Sequence, residues 1–265
     1  MDLPVNRFKH AILRGERQWG AWQMLASTIA TEAMAFAGYD FLVLDMEHAP
    51  SDLPEILSQL QAAGQTPTPC MVRMPWNDMV MVKRLLDAGA QSLMFPFIQN
   101  AAEAKAAVAA TRYPPHGVRG VAAMHRANRY GNVADYFAKA SQEICVIVQV
   151  ETLEALDRIE EIASVDGVDG VFIGPADMSA AVGRLGQIMH PDNLAALERG
   201  AKAVRKLGKP VGIIAAMDAL VDHCVAWDYT FIALGSDLAF MVNKAKATLA
   251  QHKGKTTATG PVSNY

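Results

Sequence analysis

The stretch FLVLDMEHAP, residues 41–50, decides the fold. Four apolar residues suited to a strand run straight into Asp45, Glu47 and His48, and Pro50 ends the element. A continuous apolar run bounded by turn residues predicts a strand buried on both faces, as in a parallel sheet. Acidic and imidazole groups crowded at the C-terminal end of such a strand have no packing purpose. That edge is where α/β proteins place their chemistry. Capping of the next helix explains one polar residue, with Ser51 and Asp52 also at hand, but not three in a row.

Outward from this stretch the chain alternates strand-like and helix-like segments from end to end. Apolar runs over 19–25, 41–46, 69–74, 92–98, 144–151, 170–174, 210–215 and 231–235 predict eight strands. Helical patterns fill 28–37, 53–63, 78–88, 101–111, 153–162, 193–207, 217–225 and 238–251, with C-cap glycines expected at Gly38, Gly64, Gly89 and Gly208. Eight of each predicts an α/β protein, a (β/α)8 TIM barrel. A doubly wound open sheet is the alternative, but no GxGxxG turn follows the first strand. Residues 1–252 are read as one barrel domain and 253–265, polar and small, as a loose tail.

Composition narrows the function. The 265 residues are 51% apolar and carry a net charge of −3 with no basic run, so a nucleic-acid partner is not indicated. No 18-residue apolar span occurs, and residues 1–15 read as an amphipathic helix rather than a signal peptide, so no membrane role is expected. Cys70, Cys145 and Cys224 are widely spaced, the pattern of reduced thiols in a cytoplasmic protein.

Polar residues collect at strand C-termini. Asp45, Glu47 and His48 follow strand two, Arg73 lies in strand three, Gln149 and Glu151 end strand five, Asp177 follows strand six, and Ser236 and Asp237 follow strand eight. Taken singly, Glu151 is explained as a first-turn acid and Asp177 as a cap; their convergence on one barrel mouth is the pattern of an active site. Two carboxylates on neighbouring strands suit a hard cation such as Mg²⁺ or Mn²⁺, with positions left for water and a chelating substrate. Arg73 supplies positive charge where an oxyanion develops, and His48 has a pKa suited to proton transfer near neutrality. Zinc motifs, a GxSxG elbow, a P-loop and a lysine in the C-terminal half of a strand are all missing, which disfavours zinc, serine-nucleophile and Schiff-base chemistry. The remaining set suits an enolate beside a carboxylate. The long connection after residue 111, with Arg119, His125, Arg126 and Arg129, is read as a cationic loop above the mouth that favours an anionic substrate; an ordinary solvated loop is the alternative.

With these residues in place, the chain resembles the metal-dependent (class II) pyruvate aldolases of the 4-hydroxy-2-oxoheptanedioate and 2-dehydro-3-deoxyglucarate aldolase family. The resemblance is carried by LDMEHAP (44–50), MVRMPWND (71–78), KRLLDAGA (83–90), TRYPPHGVRGV (111–121), VQVET (148–152) and GVDGVFIGPADMS (167–179). It implies that His48 is the general base, Glu151 and Asp177 the metal ligands, and Arg73 the oxyanion stabiliser. Gln149 and the Ala176 backbone would contact the pyruvate part, with Asp45 and Trp22 completing the substrate-binding set. Asp87 would orient His48 across a subunit boundary. The resemblance further implies a divalent cofactor (Mg²⁺ or Mn²⁺, with Co²⁺ a further candidate) and a homohexamer, a dimer of trimers, that exchanges the last helix, residues 238–251. HRANRYGNVADYF (125–137) and LGSDL (234–238) tilt the expected substrate toward 5-dehydro-4-deoxy- or 2-dehydro-3-deoxyglucarate, most of all the latter, cleaved to pyruvate and tartronate semialdehyde. The alternatives are 4-hydroxy-2-oxoheptanedioate, cleaved to pyruvate and succinate semialdehyde, a related CoA-thioester lyase, and a non-catalytic 2-oxo-acid sensor on the same scaffold.

Overall fold

The computed structural model describes residues 1–253, so the expected polar tail falls outside the described residues apart from Lys253. The strands are β1 (Gln18–Gln23), β2 (Phe41–Asp45), β3 (Cys70–Arg73), β4 (Ser92–Phe95), β5 (Cys145–Val150), β6 (Gly170–Ile173), β7 (Val211–Ile214) and β8 (Phe231–Ser236). Each pairs in parallel with the next, and β8 pairs with β1, so the sheet closes into an eight-stranded barrel. The helices are α1 (Arg7–Leu13), α2 (Thr28–Phe36), α3 (Leu53–Ala63), α4 (Met79–Ala88), α5 (Ala101–Thr111), α6 (Tyr136–Glu143), α7 (Leu153–Asp157), α8 (Ile159–Ala163), α9 (Pro175–Ala181), α10 (Pro191–Lys206), α11 (Asp218–Ala226) and α12 (Asp237–Lys253). Every strand expected from sequence is present. The helix expected over 153–162 is broken in two at Arg158, and α6 and α9 were not anticipated. Gly38, Gly89 and Gly208 take positive φ after their helices, whereas Gly64 caps α3 at φ −64° without the left-handed turn.

Strand periodicity of two sorts the core into two layers. One parity, Phe41, Val43, Met71, Met94, Cys145, Ile147, Phe172, Phe231 and Ala233, fills the barrel interior and is closed below by Phe8 and Ile12 of α1. The Phe8 ring lies 5.0 Å from Phe41 and 5.4 Å from Phe231. The other parity, including Leu44, Val72, Val146, Val148, Val171 and Ile173, packs against the helices. Glycine makes room where the interior rings are largest, because a Cβ on Gly212 would overlap the Phe231 ring. Gly212→Val is therefore expected to destabilise by about 1–3 kcal/mol through overpacking; a melting temperature equal to that of the unaltered protein would contradict this packing account.

Helix α12 is anchored differently. Among its residues Asp237 is the buried one, while Met241 and Leu249 are each 54% exposed. No helix among the described residues is long and apolar enough to cross a membrane.

Candidate active site

The inward parity of the strands continues past their apolar residues into polar ones. On β2 the series Phe41, Val43 ends in Asp45; on β3 Met71 is followed by Arg73; on β5 Cys145, Ile147 lead to Gln149 and Glu151. The same alternation that fills the barrel thus delivers these side chains to its C-terminal mouth. Asp177 arrives from the first turn of α9, which begins at Pro175 directly after β6.

Arg73 is the pivot. Its Nε and Nη2 donate to the two carboxylate oxygens of Asp45 at 2.9 and 2.6 Å. Its Nη1 lies 2.8 Å from Glu47 Oε2, and its guanidinium stands 5.0 Å from the Trp22 ring centroid. A planar fork held by two carboxylates and an aromatic face has one orientation. Asp45 is fully buried and also accepts the backbone N–H groups of Glu47 (3.0 Å) and His48 (3.4 Å). Expected to touch substrate, it lies instead beneath Arg73 and shapes the turn that presents His48. The His48 side chain is 48% exposed, with Nε2 4.0 Å from Glu47 Oε2.

Glu151 is held on both oxygens. Oε1 accepts from Gln149 Nε2 at 2.7 Å, and Oε2 accepts from the backbone N–H of Phe97 at 3.0 Å. Phe97 adopts φ +54°, a left-handed conformation costing a non-glycine residue about 1–2 kcal/mol, and its ring stacks on Trp76 with centroids 6.0 Å apart. A Cβ at Gly174 would sit 2.7 Å from Glu151 Oε1, so glycine leaves the space that the carboxylate occupies. Burial, then repulsion from Asp177 and Glu47, pushes the Glu151 pKa up to about 8. Burial also raises that of Glu47 above its ordinary value, against the pull of Arg73 and His48. Glu47 stood in the opening run but received no role from sequence, and the Phe97 backbone left no sequence signal at all.

A cavity of about 320 Å³ opens at this mouth, lined at one end by Trp22, Arg73, Gln149, Ala176 and Asp177. Asp87 is elsewhere. It lies near the C-terminal end of α4, at the edge where β4 begins, and accepts from Arg119 Nη2 at 2.7 Å. One chain therefore does not bring Asp87 to His48.

The cationic connection is likewise at the opposite end, which corrects the expectation of a loop above the mouth. Arg119 is fully buried against the Tyr113 ring at 4.5 Å. Arg126 donates to the carbonyls of Leu60 and Ala88, at the C-terminal ends of α3 and α4, and His125 lies 3.9 Å from Asp87. None of Arg119, His125, Arg126 and Arg129 lines the mouth cavity. The chain order explains this: the segment leaves a helix and enters β5, so it belongs to the N-terminal face of the barrel. Asp237 is also structural, accepting the N–H groups of Met24 and Leu25 at the end of β1.

The donor set fits a hard divalent cation. The Glu151 carboxylate sits where burial and repulsion from the neighbouring Asp177 and Glu47 disfavour its charge, and a bound cation would relieve both. Among the described residues no group of three or more His, Cys, Asp or Glu side chains is arranged to hold a metal.

An eight-stranded parallel barrel with carboxylates, an arginine and a histidine at its C-terminal mouth has the arrangement of a barrel enzyme's active site. The sequence signature of the HpcH/HpaI aldolase/citrate lyase family matches residues 18–244, and the chain belongs to that family. It is a carbon–carbon lyase. It is 47% identical over 251 residues to a pyruvate aldolase of Rhizobium etli, covering 95% of this chain and 99% of the relative. Its identity to a 5-keto-4-deoxy-D-glucarate aldolase of Shigella dysenteriae is 44% over 237 residues, 89% of this chain and 93% of the relative. A crystal structure of a family protein from Burkholderia cenocepacia superposes with a TM-score of 0.90 at 40% identity, covering 94% of this chain and all of the other.

Proposed function

We propose that this chain catalyses metal-dependent retro-aldol cleavage of a 4-hydroxy-2-oxo acid to pyruvate and an aldehyde, and the reverse condensation. The observation that carries this reading is the convergence of Arg73, Gln149, Ala176 and Asp177 on one cavity, with Glu151 hydrogen-bonded to Gln149 at its wall. Glu151 and Asp177 would hold the cation, which when bound draws electron density from the 2-oxo acid and so eases loss of the C4 fragment. Gln149 and the Phe97 N–H fix the Glu151 carboxylate. His48 takes the proton of the C4 hydroxyl, the C3–C4 bond breaks, and C4 leaves as the aldehyde. Arg73, oriented by Asp45 and Glu47, places its charge beside the enolate oxygen. Protonation of C3 then gives pyruvate. The relative named for 5-keto-4-deoxy-D-glucarate supports that compound and the related 2-dehydro-3-deoxyglucarate as the first to try, with Mg²⁺ or Mn²⁺. The CoA-thioester alternative loses ground, because the basic loop that would meet a 3′-phosphate lies at the other end of the barrel.

The reading includes a homo-oligomer in which Asp87 of a second copy faces His48 and α12 packs on a neighbour. The exposed apolar side chains of α12 and the separation of Asp87 from His48 within one chain support it, and a molar mass in solution of one chain would contradict it. Three thiols free of disulfides support a cytoplasmic setting.

A lactate-dehydrogenase-coupled assay tests the chemistry. Pyruvate release from 2-dehydro-3-deoxyglucarate or 4-hydroxy-2-oxoheptanedioate should need Mg²⁺ or Mn²⁺ and stop with EDTA; release that persists at full rate in EDTA overturns the metal, and no release from either overturns the reaction.

The raised Glu151 pKa sets a pH dependence. Unfolded, this carboxyl ionises near 4.5; folded and metal-free, it does so near 8. Between these values the unfolded chain has released a proton that the folded one keeps, so the group's contribution to stability falls as pH rises. Cation binding requires the carboxylate and displaces that proton. The thermal stabilisation given by a fixed Mn²⁺ concentration should therefore grow from pH 6 to 8, with apparent affinity rising at most about tenfold per unit. A stabilisation independent of pH over this range would contradict Glu151 as the ligand.

A further inference from the structure

Two loops meet beside the barrel mouth without lining its cavity. The first, residues 74–78, follows β3 and carries Trp76; the second, residues 96–100, follows β4 and carries Phe97. Trp76 is 57% exposed and Phe97 42% exposed, and neither ring lines the mouth cavity. Core packing does not explain their stack, and contact with a ligand in the cavity does not either.

The second loop is fastened to the end of β5 at three consecutive residues. The Phe97 N–H donates to Glu151 Oε2 at 3.0 Å, the Ile98 N–H to the Gln149 carbonyl at 3.0 Å, and the Thr152 hydroxyl to Gln99 Oε1 at 2.7 Å. Of the three loop residues Phe97 alone has a positive φ, +54°. An L side chain at that angle is crowded by its own backbone. The N–H aimed at Glu151 is therefore the one held against a local preference to turn away.

Trp76 is placed to hold it. The two ring centroids are 6.0 Å apart and the planes 29° from parallel, within the range in which aromatic rings attract. Trp76 is also fixed independently of Phe97. The next residue, Asn77, donates to the Glu103 carbonyl in the first turn of α5 at 3.2 Å, and the Asp78 N–H donates to the Trp76 carbonyl at 2.9 Å. The Glu103 carboxylate accepts the Gln99 N–H at 2.8 Å. The loops thus share an anchor on α5, and the ring stack is a second tie between them.

We propose that Trp76 is a positioning residue for Glu151: its stack holds Phe97 in the left-handed conformation that aims the Phe97 N–H at the carboxylate, and so raises the affinity of the site for a divalent cation. The proposal rests on the metal-dependent reading above. Glu151 Oε1 is held by the Gln149 amide and Oε2 by this one backbone N–H. When the Phe97 peptide turns, the carboxylate keeps a single tie and gains freedom to rotate. A ligand that must be re-ordered on binding holds its cation less tightly. Trp76 acts on the cation only through Phe97.

The test is titration of the full chain with Mn²⁺ at one pH and without substrate, following free Mn²⁺ by electron paramagnetic resonance. An aromatic stack is worth about two- to tenfold in an equilibrium, so Trp76→Ala should weaken Mn²⁺ binding by about that factor. Trp76→Phe should restore most of it. Phe97→Ala should weaken binding similarly, and Trp76→Ala added to Phe97→Ala should weaken it no further, because the rings act as one unit. In the coupled assay Trp76→Ala should lose pyruvate release at limiting Mn²⁺ and regain it at saturating Mn²⁺, with KM for the oxo acid unchanged.

Unaltered Mn²⁺ affinity in Trp76→Ala overturns the proposal and leaves the aldolase reading standing, and so does a further loss in the double variant. A raised KM with unaltered Mn²⁺ affinity makes Trp76 a substrate contact, and a changed molar mass with unaltered affinity makes it a subunit contact; either overturns the proposal. Mn²⁺ affinities in the expected order, in a chain that releases no pyruvate, overturn the aldolase reading alone. An unaltered protein that binds no Mn²⁺ overturns the metal-dependent reading and this proposal with it.

Discussion

Glu151→Gln is expected to lower pyruvate release by on the order of 10³-fold, since a cation's stabilisation of developing charge is worth several kcal/mol and each 1.4 kcal/mol is about tenfold. The substitution keeps the shape of the side chain and its contact with the Phe97 N–H, so the loss would not come from collapse of the mouth. It removes a carboxylate that burial, Asp177 and Glu47 already push toward its neutral form. The metal-free variant should therefore be at least as heat-stable as the unaltered protein, while its stabilisation by Mn²⁺ disappears. Calorimetry with and without Mn²⁺, beside the coupled assay, checks both halves. A variant that binds Mn²⁺ normally and turns over within tenfold of the parent would remove Glu151 from the metal site.

Arg73→Lys should cost activity and stability together. Lysine keeps the charge but loses the fork on Asp45, the contact with Glu47 and the stack on Trp22. Loss of an oriented donor at a developing oxyanion costs about 10²–10³ in kcat. Asp45, fully buried, would keep the backbone N–H groups of Glu47 and His48 and one ammonium contact of weaker geometry, and breaking a buried ion pair costs about 3–5 kcal/mol. Arg73→Met would approach that limit, with Arg73→Lys falling between it and the parent. Melting temperatures in the order parent, Lys, Met, with kcat falling in the same order, are the expected result. Equal melting temperatures for all three would show that Asp45 finds its partner elsewhere.

The residues that build the mouth were largely legible because strand geometry is local. A strand shows alternate faces, and Phe41, Val43 and Asp45 or Ile147, Gln149 and Glu151 lie on one of them wherever the strand ends up. The misplaced segment was also legible in principle. Arg119, His125, Arg126 and Arg129 follow a helix and precede a strand, and in a barrel such connections lie at the N-terminal face; position in the chain, and not charge, decides the end of the barrel a loop occupies.

What the amino-acid order determined by itself is the alternation of eight strands and their helices, the parity that sends Arg73, Gln149 and Glu151 inward, and the family to which those motifs belong. Only the tertiary structure decided that Asp45 lies buried beneath Arg73, that the backbone of Phe97 holds Glu151, and that the Trp76 ring stacks on that of Phe97. The reason is physical. Periodicity is set by the backbone over a few residues, whereas these contacts join strands and loops from distant parts of the chain, and their geometry exists only once the sheet has closed on itself.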